Sequence, residues 1–184
     1  MVRDILAGAI RVLKRHGGRH FTTIRVAEEA GISVGSLYQY FPNKDSILFE
    51  IQRQEWEATS AGIVEILGDR RFAPPARLRR LVRAFFESEF AEADLRKAVA
   101  ETGLVMEETV EFRQIAEKIY SAMEAFLTEL LPRTSPVRRR FLGRFLFMIL
   151  QSLAEKVTSE PPPNADLNAW AETCGEMLAA YLRV

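Results

Sequence analysis

Three residues in the segment 34–44, which reads VGSLYQYFPNK, could face DNA base edges: Val34, Ser36 and Gln39. Val34 could contact a thymine methyl group, and Gln39 could pair with adenine. Gly35 and Ser36 are small enough to let a helix backbone approach DNA closely, and the Ser36 hydroxyl could face a base edge. These residue types at this spacing indicate direct readout in the major groove.

Three longer polar side chains in the same segment suit the DNA backbone. Tyr38 and Tyr40 carry hydroxyls and Lys44 carries an ammonium group, and such groups contact phosphates in protein–DNA complexes. The alternative is a helical hairpin in which both tyrosines are simply packed aromatic residues. The surrounding pattern of caps and helix breakers favours DNA binding over that alternative.

Two short helices joined by a tight turn are predicted around these residues. Thr22 or Thr23 can cap the first helix, which we expect to run from residue 24 to residue 30. Gly31 follows directly and suits the left-handed conformation that ends a helix. Ser33 is a good N-cap for the second helix.

The second helix is predicted over residues 34–41, and it is short enough to need tertiary packing, through Leu37 and Phe41. Pro42 ends it, because the residue before a proline disfavours the α region. Asn43 can then cap a third helix. This order is typical of a helix-turn-helix, in which one helix braces and the next enters the major groove.

The segments AGAIRVLKRHG and FTTIRVAEEAGISVGSLYQYFPNKDSIL resemble the TetR family of one-component transcriptional regulators. The resemblance covers the N-terminal quarter of the chain. It implies a homodimeric, all-helical repressor whose ligand domain, when occupied, moves the two DNA-binding heads apart and releases the operator.

The resemblance also assigns roles to single residues. The implied base-reading residues are Ile24, Val34, Gly35, Ser36, Tyr38 and Tyr40, and the implied phosphate contacts are Thr23, Gln39 and Lys44. Ile24 offers no hydrogen bond to a base. The implied target is double-stranded DNA with a near-palindromic operator, because a two-fold dimer places two recognition helices about 34–36 Å apart.

Composition agrees with a globular protein. The chain has 184 residues, of which 48% are hydrophobic and 27% are charged. Its apolar runs are far too short to cross a membrane, and Met1 is followed by an amphipathic charged segment rather than a signal peptide. Cys174 is the single cysteine. We therefore expect a cytoplasmic protein without an intramolecular disulfide.

The net charge is zero, with 25 basic and 25 acidic residues. Basic residues nevertheless exceed acidic ones modestly between Met1 and Phe49. A head with this excess suits a regulator that binds one operator and can be removed from it. We expect its DNA affinity to fall with salt, because phosphate contacts release counterions.

Apolar residues at helical spacing continue along the chain, and no strand-like alternation occurs. We therefore expect an all-α protein with an N-terminal three-helix helix-turn-helix domain (1–48) and a C-terminal helical ligand-binding and dimerisation domain (49–184). Helices are predicted at 2–16, 44–67, 75–91, 108–131 and 137–158, with a short helix to about Met106 after a break near Ala93, and a last helix from Asn164 or Asp166 to Leu182.

The middle helices are rich in aromatic residues and methionine, which suit the walls of apolar ligand pockets. We hypothesise a cavity there for a small hydrophobic effector. Its candidate lining residues are Trp56, Phe85, Phe86, Phe90, Met106, Phe112, Tyr120, Met123, Phe145 and Met148. The alternative is that these residues form an ordinary core. Glu87, Glu89 and Glu101 lie nearby in sequence. A buried carboxylate there would attract a cationic compound, but a solvated position is the commoner fate of such residues.

The last two long helices suggest a homodimer built as a four-helix interface. Small residues at intervals of four would let these helices approach closely. The candidate interface residues are Gly143, Leu167, Ala171, Cys174, Gly175, Leu178 and Ala179. The alternative is that this stripe closes the core of its own subunit.

Two other function classes have an all-helical fold as well. An all-helical enzyme is disfavoured, because the sequence has no Glu-x-x-His pair, glycine-rich phosphate loop or Cys-His cluster. We therefore expect no catalytic residues, no cofactor and no metal site. A DNA-bound adaptor or architectural protein without a small ligand stays open, since the sequence identifies no effector.

Overall fold

The computed structural model describes residues 1–104, 109–160 and 166–183, and these residues form α-helices and one short 3-10 turn. The helices are α1 (Val2–His16), α2 (Thr23–Ala30), α3 (Val34–Tyr38), α4 (Lys44–Gly68), α5 (Pro74–Ala100), α6 (Val110–Leu130), α7 (Pro136–Ser159) and α8 (Leu167–Leu182), with the 3-10 turn at Gly18–His20. The predicted all-α fold is confirmed. Within the described residues, no helix is both long and apolar enough to cross a membrane.

One predicted break is wrong. The sequence predicts that a helix ends near residue 91 and that another begins after Ala93, but α5 runs without interruption from Pro74 to Ala100. Residues 76–100 contain no glycine or proline, so no backbone feature stops the helix near residue 93. Leu95 and Val99 are 5% and 2% exposed. Burial of these apolar side chains stabilises the continued helix.

The chain packs as two units, and both contain parts of α4 and α5. The first unit comprises Met1–Trp56 with Glu92–Phe112, and the second comprises Glu57–Ala91 with Arg113–Val184. The packing boundary in α4 therefore lies beyond the predicted domain boundary at residue 48. In this packing division, the end of α5 groups with the helix-turn-helix.

The core of the first unit explains this division. Leu95, Ala98 and Val99 of α5 are buried among the apolar residues of the N-terminal helices. The other core members are Ile5, Leu6, Ala9, Val12, Leu13, Phe21, Val26, Ala27, Leu37, Phe41, Ile47, Leu48 and Ile51. The short helix α3 is thus held by a core that a distant part of the sequence completes.

The end of α5 also meets the turn between α1 and α2 directly. The Gly18 amide donates to Oε2 of Glu101 at 3.0 Å. A Cβ added to Gly18 would lie 1.9 Å from the carbonyl oxygen of Ala98. Backbone therefore packs on backbone here, and only glycine leaves enough space.

A polar and aromatic cluster joins α4, α5 and α6 in the first unit. The Arg96 Nε donates to Oε1 of Glu55 at 2.9 Å, and the guanidinium lies 5.9 Å from the centroid of the Trp56 ring. Trp56 meets Phe112 edge to face at 5.1 Å. Burial raises the pKa of Glu55 above its ordinary value, although the nearby Arg96 acts in the opposite direction.

In the second unit, a buried arginine connects three helices. Arg77 in α5 is 1% exposed, and its Nη1 donates to the Leu67 carbonyl at the end of α4 at 2.6 Å. Its Nη2 donates to the carboxylate of Glu129 in α6, and its guanidinium lies 5.3 Å from the centroid of the Phe126 ring. The hydrogen bond from Arg77 lowers the pKa of Glu129.

Candidate nucleic-acid interface

The turn between α2 and α3 is formed by backbone and side-chain caps. The Thr22 hydroxyl oxygen accepts from the Arg25 amide at 3.3 Å at the start of α2. Gly31 adopts the left-handed conformation with φ of 70°, and the Ile32 amide donates to the Ala27 carbonyl at 3.0 Å. This bond ends the helix as a Schellman motif. The predicted N-cap of α2 is therefore Thr22 rather than Thr23.

The second helix is shorter than predicted, since its regular part is Val34–Tyr38. Ser33 caps it by accepting from the Ser36 amide at 3.0 Å. The hydroxyls of Ser33 and Ser36 are also 2.8 Å apart, so the Ser36 hydroxyl has a partner within the cap. The base-reading role predicted for Ser36 would therefore compete with an existing hydrogen bond.

A reciprocal cap begins α4. Asn43 accepts through Oδ1 from the Ser46 amide at 2.8 Å, and the Ser46 hydroxyl donates to the Asn43 carbonyl at 2.7 Å. The predicted cap at Asn43 is confirmed, whereas the contribution of Ser46 was not foreseen. The cap fixes the position of Lys44, which is the first residue of α4.

The candidate DNA-binding residues differ in how far they reach solvent. Gly35, Gln39 and Lys44 are exposed, while Thr23, Val34 and Ser36 are partly buried. Ile24, Tyr38 and Tyr40 are large apolar or aromatic residues that are nonetheless 57%, 49% and 46% exposed. The hairpin alternative, with both tyrosines packed inside, is therefore wrong.

An open cleft of about 280 Å³ lies among several of these residues. It is lined by Phe21, Thr22, Thr23, Tyr38, Pro42, Asn43 and Lys44. The hydroxyls of Thr23 and Tyr38 share a hydrogen bond of 3.1 Å that joins α2 to α3. The cleft thus combines hydroxyls, an ammonium group and the first residues of α2 and α4, and helix N-termini favour anions. This chemistry suits a phosphate group of the DNA backbone.

Two arginines of α1 form ion pairs with Glu29 of α2, which the sequence alone did not predict. Arg11 Nε donates to Glu29 at 2.6 Å and Arg15 Nη1 donates to it at 3.0 Å, joining α1 to α2. The hydrogen bond from Arg11 lowers the pKa of Glu29. Both arginines lie in α1 and Glu29 lies in α2, so no pattern within one helix reveals these pairs.

The candidate effector residues do not form one group. Trp56 and Phe112 belong to the first unit, and Met106 lies outside the described residues. Phe90 and Met148 are each 64% exposed, so neither is a wall of an enclosed cavity within the protomer. The candidate residues that the second unit does bury are Phe85, Phe86 and Met123, and Tyr120 is half-buried.

Phe147 is the aromatic residue that sequence reasoning missed in this group. Its ring lies 5.9 Å from the rings of both Phe85 and Tyr120, in edge-to-face geometry. A stricter helical period along α7 would have found it, because Gly143, Leu150 and Ala154 share its buried face. Glu89 was expected on a solvated face but is 2% exposed.

The structure also corrects the prediction that the small-residue stripe of α7 and α8 forms the dimer interface. Gly143, Ala171, Cys174, Gly175, Leu178 and Ala179 are buried inside their own protomer, and Leu167 is half-buried. A Cβ on Gly143 would lie 3.1 Å from Cγ of Met123, and one on Gly175 would lie 3.7 Å from Cγ of Arg79. The small residues bring α7 and α8 close to helices of the same subunit, so the stripe closes that subunit's core.

Large apolar residues occupy the exposed faces of the same two helices. Phe141 and Phe145 stack at 5.7 Å, and Phe145 lies 6.2 Å from the Tyr181 ring. Arg138 places its guanidinium 4.9 Å from the Phe141 ring centroid and donates to the Tyr181 hydroxyl at 3.2 Å. We call Phe141, Phe145, Met148, Met177 and Tyr181 the aromatic face. Phe145 and Met148 thus belong here rather than to a pocket.

No group of three or more His, Cys, Asp or Glu residues that could hold a metal ion occurs in residues 1–104, 109–160 and 166–183. His16 and His20, the two histidines of the chain, are exposed at the end of α1 and in the 3-10 turn. The Nδ1 of His20 lies 3.2 Å from the carbonyl oxygen of His16.

Comparison with known proteins connects both parts of the chain to one family. Residues 5–51 match the model of bacterial regulatory proteins of the tetR family, and residues 73–184 match the tetracyclin repressor-like C-terminal domain. An HTH-type transcriptional repressor of Mycobacterium tuberculosis is 30% identical over 77 residues. That match spans 39% of this chain and 41% of the repressor's length.

Solved structures share the fold over nearly the whole chain. FadR from Bacillus subtilis, in complex with stearoyl-CoA, is 16% identical, with a TM-score of 0.73 over 97% of each chain. SmeT, the repressor of the Stenotrophomonas maltophilia efflux pump SmeDEF, is 20% identical, with a TM-score of 0.73 over 98% of this chain and 89% of its own. Together with the head geometry, the family matches establish that this chain belongs to the TetR family of DNA-binding transcriptional regulators.

Proposed function

We infer that this protein is a homodimeric repressor that leaves its operator when a small, largely apolar effector binds. The observation that carries DNA binding is the cleft in which the Thr23 and Tyr38 hydroxyls meet the Lys44 ammonium group beside two helix N-termini. The similarity to the mycobacterial repressor supports repression as the outcome. A cytoplasmic location accords with bacterial DNA as the target.

Selection of bound sequences from random DNA should yield a near-palindromic operator with two half-sites about one helical turn apart. Lys44→Ala should weaken operator binding and reduce the slope of log affinity against log salt by about one per protomer, because one phosphate contact is lost. Lys14→Ala removes an exposed lysine of α1 that does not line the cleft, and it is the matched control. Equal slopes for the two variants would contradict the assignment of the cleft.

We assign the aromatic face of α7 and α8 as the surface that binds a second copy of the chain in the homodimer. Regulators of this family act as dimers. The face exposes large apolar side chains, among them Met148 at 64%, Phe141 at 51% and Met177 at 49%. Burial of such residues against a symmetry mate is the usual basis of an isologous helical interface.

For the effector, we assign the interior of the second unit around Phe85, Tyr120 and Phe147. Two structures of this fold guide the choice of probes, since one is a complex with stearoyl-CoA and the other is a repressor of a multidrug efflux pump. The carboxylate of Glu89 is buried in the same unit, so a cationic compound is included to test whether this group takes part in recognition.

The effector assignment is tested by titrating stearoyl-CoA, free stearate and tetraphenylphosphonium into the operator complex. Release by the cation that Glu89→Gln weakens would support recognition through the carboxylate. Release by a lipid that Phe147→Ala weakens, with Glu89→Gln unchanged, would support an apolar site alone. Operator binding that no apolar compound alters would favour the adaptor reading over a ligand-responsive repressor.

A further inference from the structure

Arg138 is an exposed arginine in the first turn of α7 that reaches the last turn of α8. Its Nη2 donates to the Tyr181 hydroxyl at 3.2 Å, and its guanidinium lies 4.9 Å from the centroid of the Phe141 ring. The backbone of Arg138 is fixed as well, because its amide donates at 3.3 Å to the Ser135 hydroxyl that caps α7. One side chain therefore holds aromatic residues of two helices together.

Four side chains of this region form a closed circuit of contacts. Phe141 stacks on Phe145 with 14° between the ring planes, and Phe145 in turn lies 6.2 Å from the Tyr181 ring. Arg138 closes the circuit, since it contacts both Phe141 and Tyr181. Rotation of any one of these side chains breaks contacts with its two neighbours. The aromatic face is therefore arranged within the single protomer, although its residues are exposed.

The two arginines that follow Arg138 in the chain have other partners. Arg139 donates to the Thr134 carbonyl at 2.5 Å, and Arg140 pairs with Glu124 of α6 at 3.4 Å. Among the residues that the structure describes, by contrast, no carboxylate forms an ion pair with Arg138. Its side chain contacts the aromatic face instead, so pairing of charges within the protomer does not account for its position.

We propose that Arg138 is a positioning residue for self-association, which holds Phe141 and Tyr181 in the arrangement that a second copy of the chain contacts. Side chains that are immobilised on association lose rotamer freedom, so a face that is already arranged binds at a lower entropic cost. Lysine cannot replace Arg138, because its ammonium group lacks the planar surface that stacks on a ring while donating to a hydroxyl. This proposal rests on the proposed function, because it takes the aromatic face as the dimer interface.

The experiment measures the dissociation constant of the dimer by analytical ultracentrifugation. Arg138→Met keeps most of the aliphatic length and removes the guanidinium, and it should raise the dissociation constant by about tenfold, because the circuit is opened in both protomers. Arg138→Lys should recover only part of that loss. Arg140→Met removes the neighbouring arginine, which lies outside the circuit, and should change the constant by less than about twofold. A dimer of native affinity in Arg138→Met overturns the proposal.

A further variant tests whether Arg138 acts through Tyr181 or binds the second copy by itself. Tyr181→Phe removes only the hydroxyl that Arg138 contacts, and it should weaken the dimer on its own. In the double variant the two effects should not multiply, because the same hydrogen bond is lost in both single variants. Effects that multiply fully would show that the two residues act independently, and they would overturn the positioning role.

The outcomes also separate this proposal from the proposed function. If Phe145→Glu stays dimeric, the aromatic face is not the interface, and both assignments are wrong. If Phe145→Glu is monomeric while Arg138→Met keeps the native dissociation constant, the interface stands and the role of Arg138 is overturned. Circular dichroism of Arg138→Met should match that of the native protein, since the replaced group is exposed.

Discussion

A single glycine in the first unit decides whether two backbone segments can pack against each other. Gly18 has no room for a side chain, because the Ala98 carbonyl would lie 1.9 Å from its Cβ. Its amide also binds the Glu101 carboxylate at 3.0 Å. One position in the turn between α1 and α2 therefore determines whether the end of α5 can pack there.

Gly18→Ala should destabilise the protein by about 1–3 kcal/mol, because the added methyl group forces two backbone segments apart. Urea unfolding followed by circular dichroism measures the change. Gly62→Ala is the matched control, since a Cβ at Gly62 has nothing within 4 Å and the residue lies inside α4. There the same substitution should stabilise by about 0.5–1 kcal/mol. Equal effects would contradict the close approach at Gly18.

Two carboxylates should give opposite pH dependences. The pKa of Glu55 is raised by burial, so its contribution to stability is full below its ordinary value of 4.5 and falls as pH rises through the raised value. The pKa of Glu129 is lowered by Arg77, so its contribution is full above 4.5 and falls as pH drops through the lowered value.

The test compares the free energies of unfolding of Glu55→Gln and Glu129→Gln with that of the native protein between about pH 3 and pH 7. With rising pH, the native protein should lose stability relative to Glu55→Gln and gain it relative to Glu129→Gln. Slopes of the same sign would show that one of the two environments is misassigned.

At the scale of helices, local rules predict the ends and fail where distant packing decides. Gly31, Ser33 and Asn43 act as caps because each satisfies backbone groups of its own helix. The sequence also predicts the cleft residues Tyr38 and Lys44, since they belong to one motif. The continuity of α5 near Ala93 depends on the core around Leu95, which no window of sequence contains.

The candidate dimer and effector residues were predicted less accurately than the helix ends, because their surroundings also depend on distant packing. The small-residue row through Ala171 and Gly175 indicates close packing but not the identity of the packed partner, which proved to be the same subunit. Likewise, an aromatic residue such as Phe145 suits a pocket wall and an exposed face equally in sequence. Only the burial of each side chain distinguishes them.

Arg77 connects the end of α4 with α5 and α6 through its planar guanidinium. Arg77→Lys should cost about 1–3 kcal/mol, since one ammonium group cannot serve the Leu67 carbonyl and the Glu129 carboxylate in the same fork geometry. Arg83→Lys is the control on the same helix, because Arg83 and its partner Glu172 are both exposed. That change should stay within about 0.5 kcal/mol. Thermal unfolding of both variants checks the difference.

At the scale of the whole molecule, DNA affinity depends on the number of heads that bind at once. The predicted base readers include few hydrogen-bonding side chains, and Arg11 and Arg15 of α1 are paired with Glu29. Two linked heads multiply a modest affinity, since the second binding event becomes intramolecular. Under the proposed function, the aromatic face of α7 and α8 raises DNA affinity by joining two heads.

Phe145→Glu should convert the dimer to a monomer, because it places a charge between Phe141 and Tyr181 in the proposed interface. Operator affinity should fall by at least about a hundredfold with the loss of two-headed binding. Phe72→Glu, at another exposed aromatic residue (41%) outside the face, should stay dimeric. Light scattering and fluorescence anisotropy measure mass and affinity, and a dimeric Phe145→Glu would refute the interface.

The chain has a single thiol, and the fold encloses it. Cys174 lies in α8 at 3% exposure, and burial raises its pKa, so the sulfur is both shielded and protonated. Alkylation of this cysteine requires that α8 first separate from its surroundings. The rate at which a maleimide reacts with Cys174 therefore reports how often α8 opens in the native protein, without any engineered label.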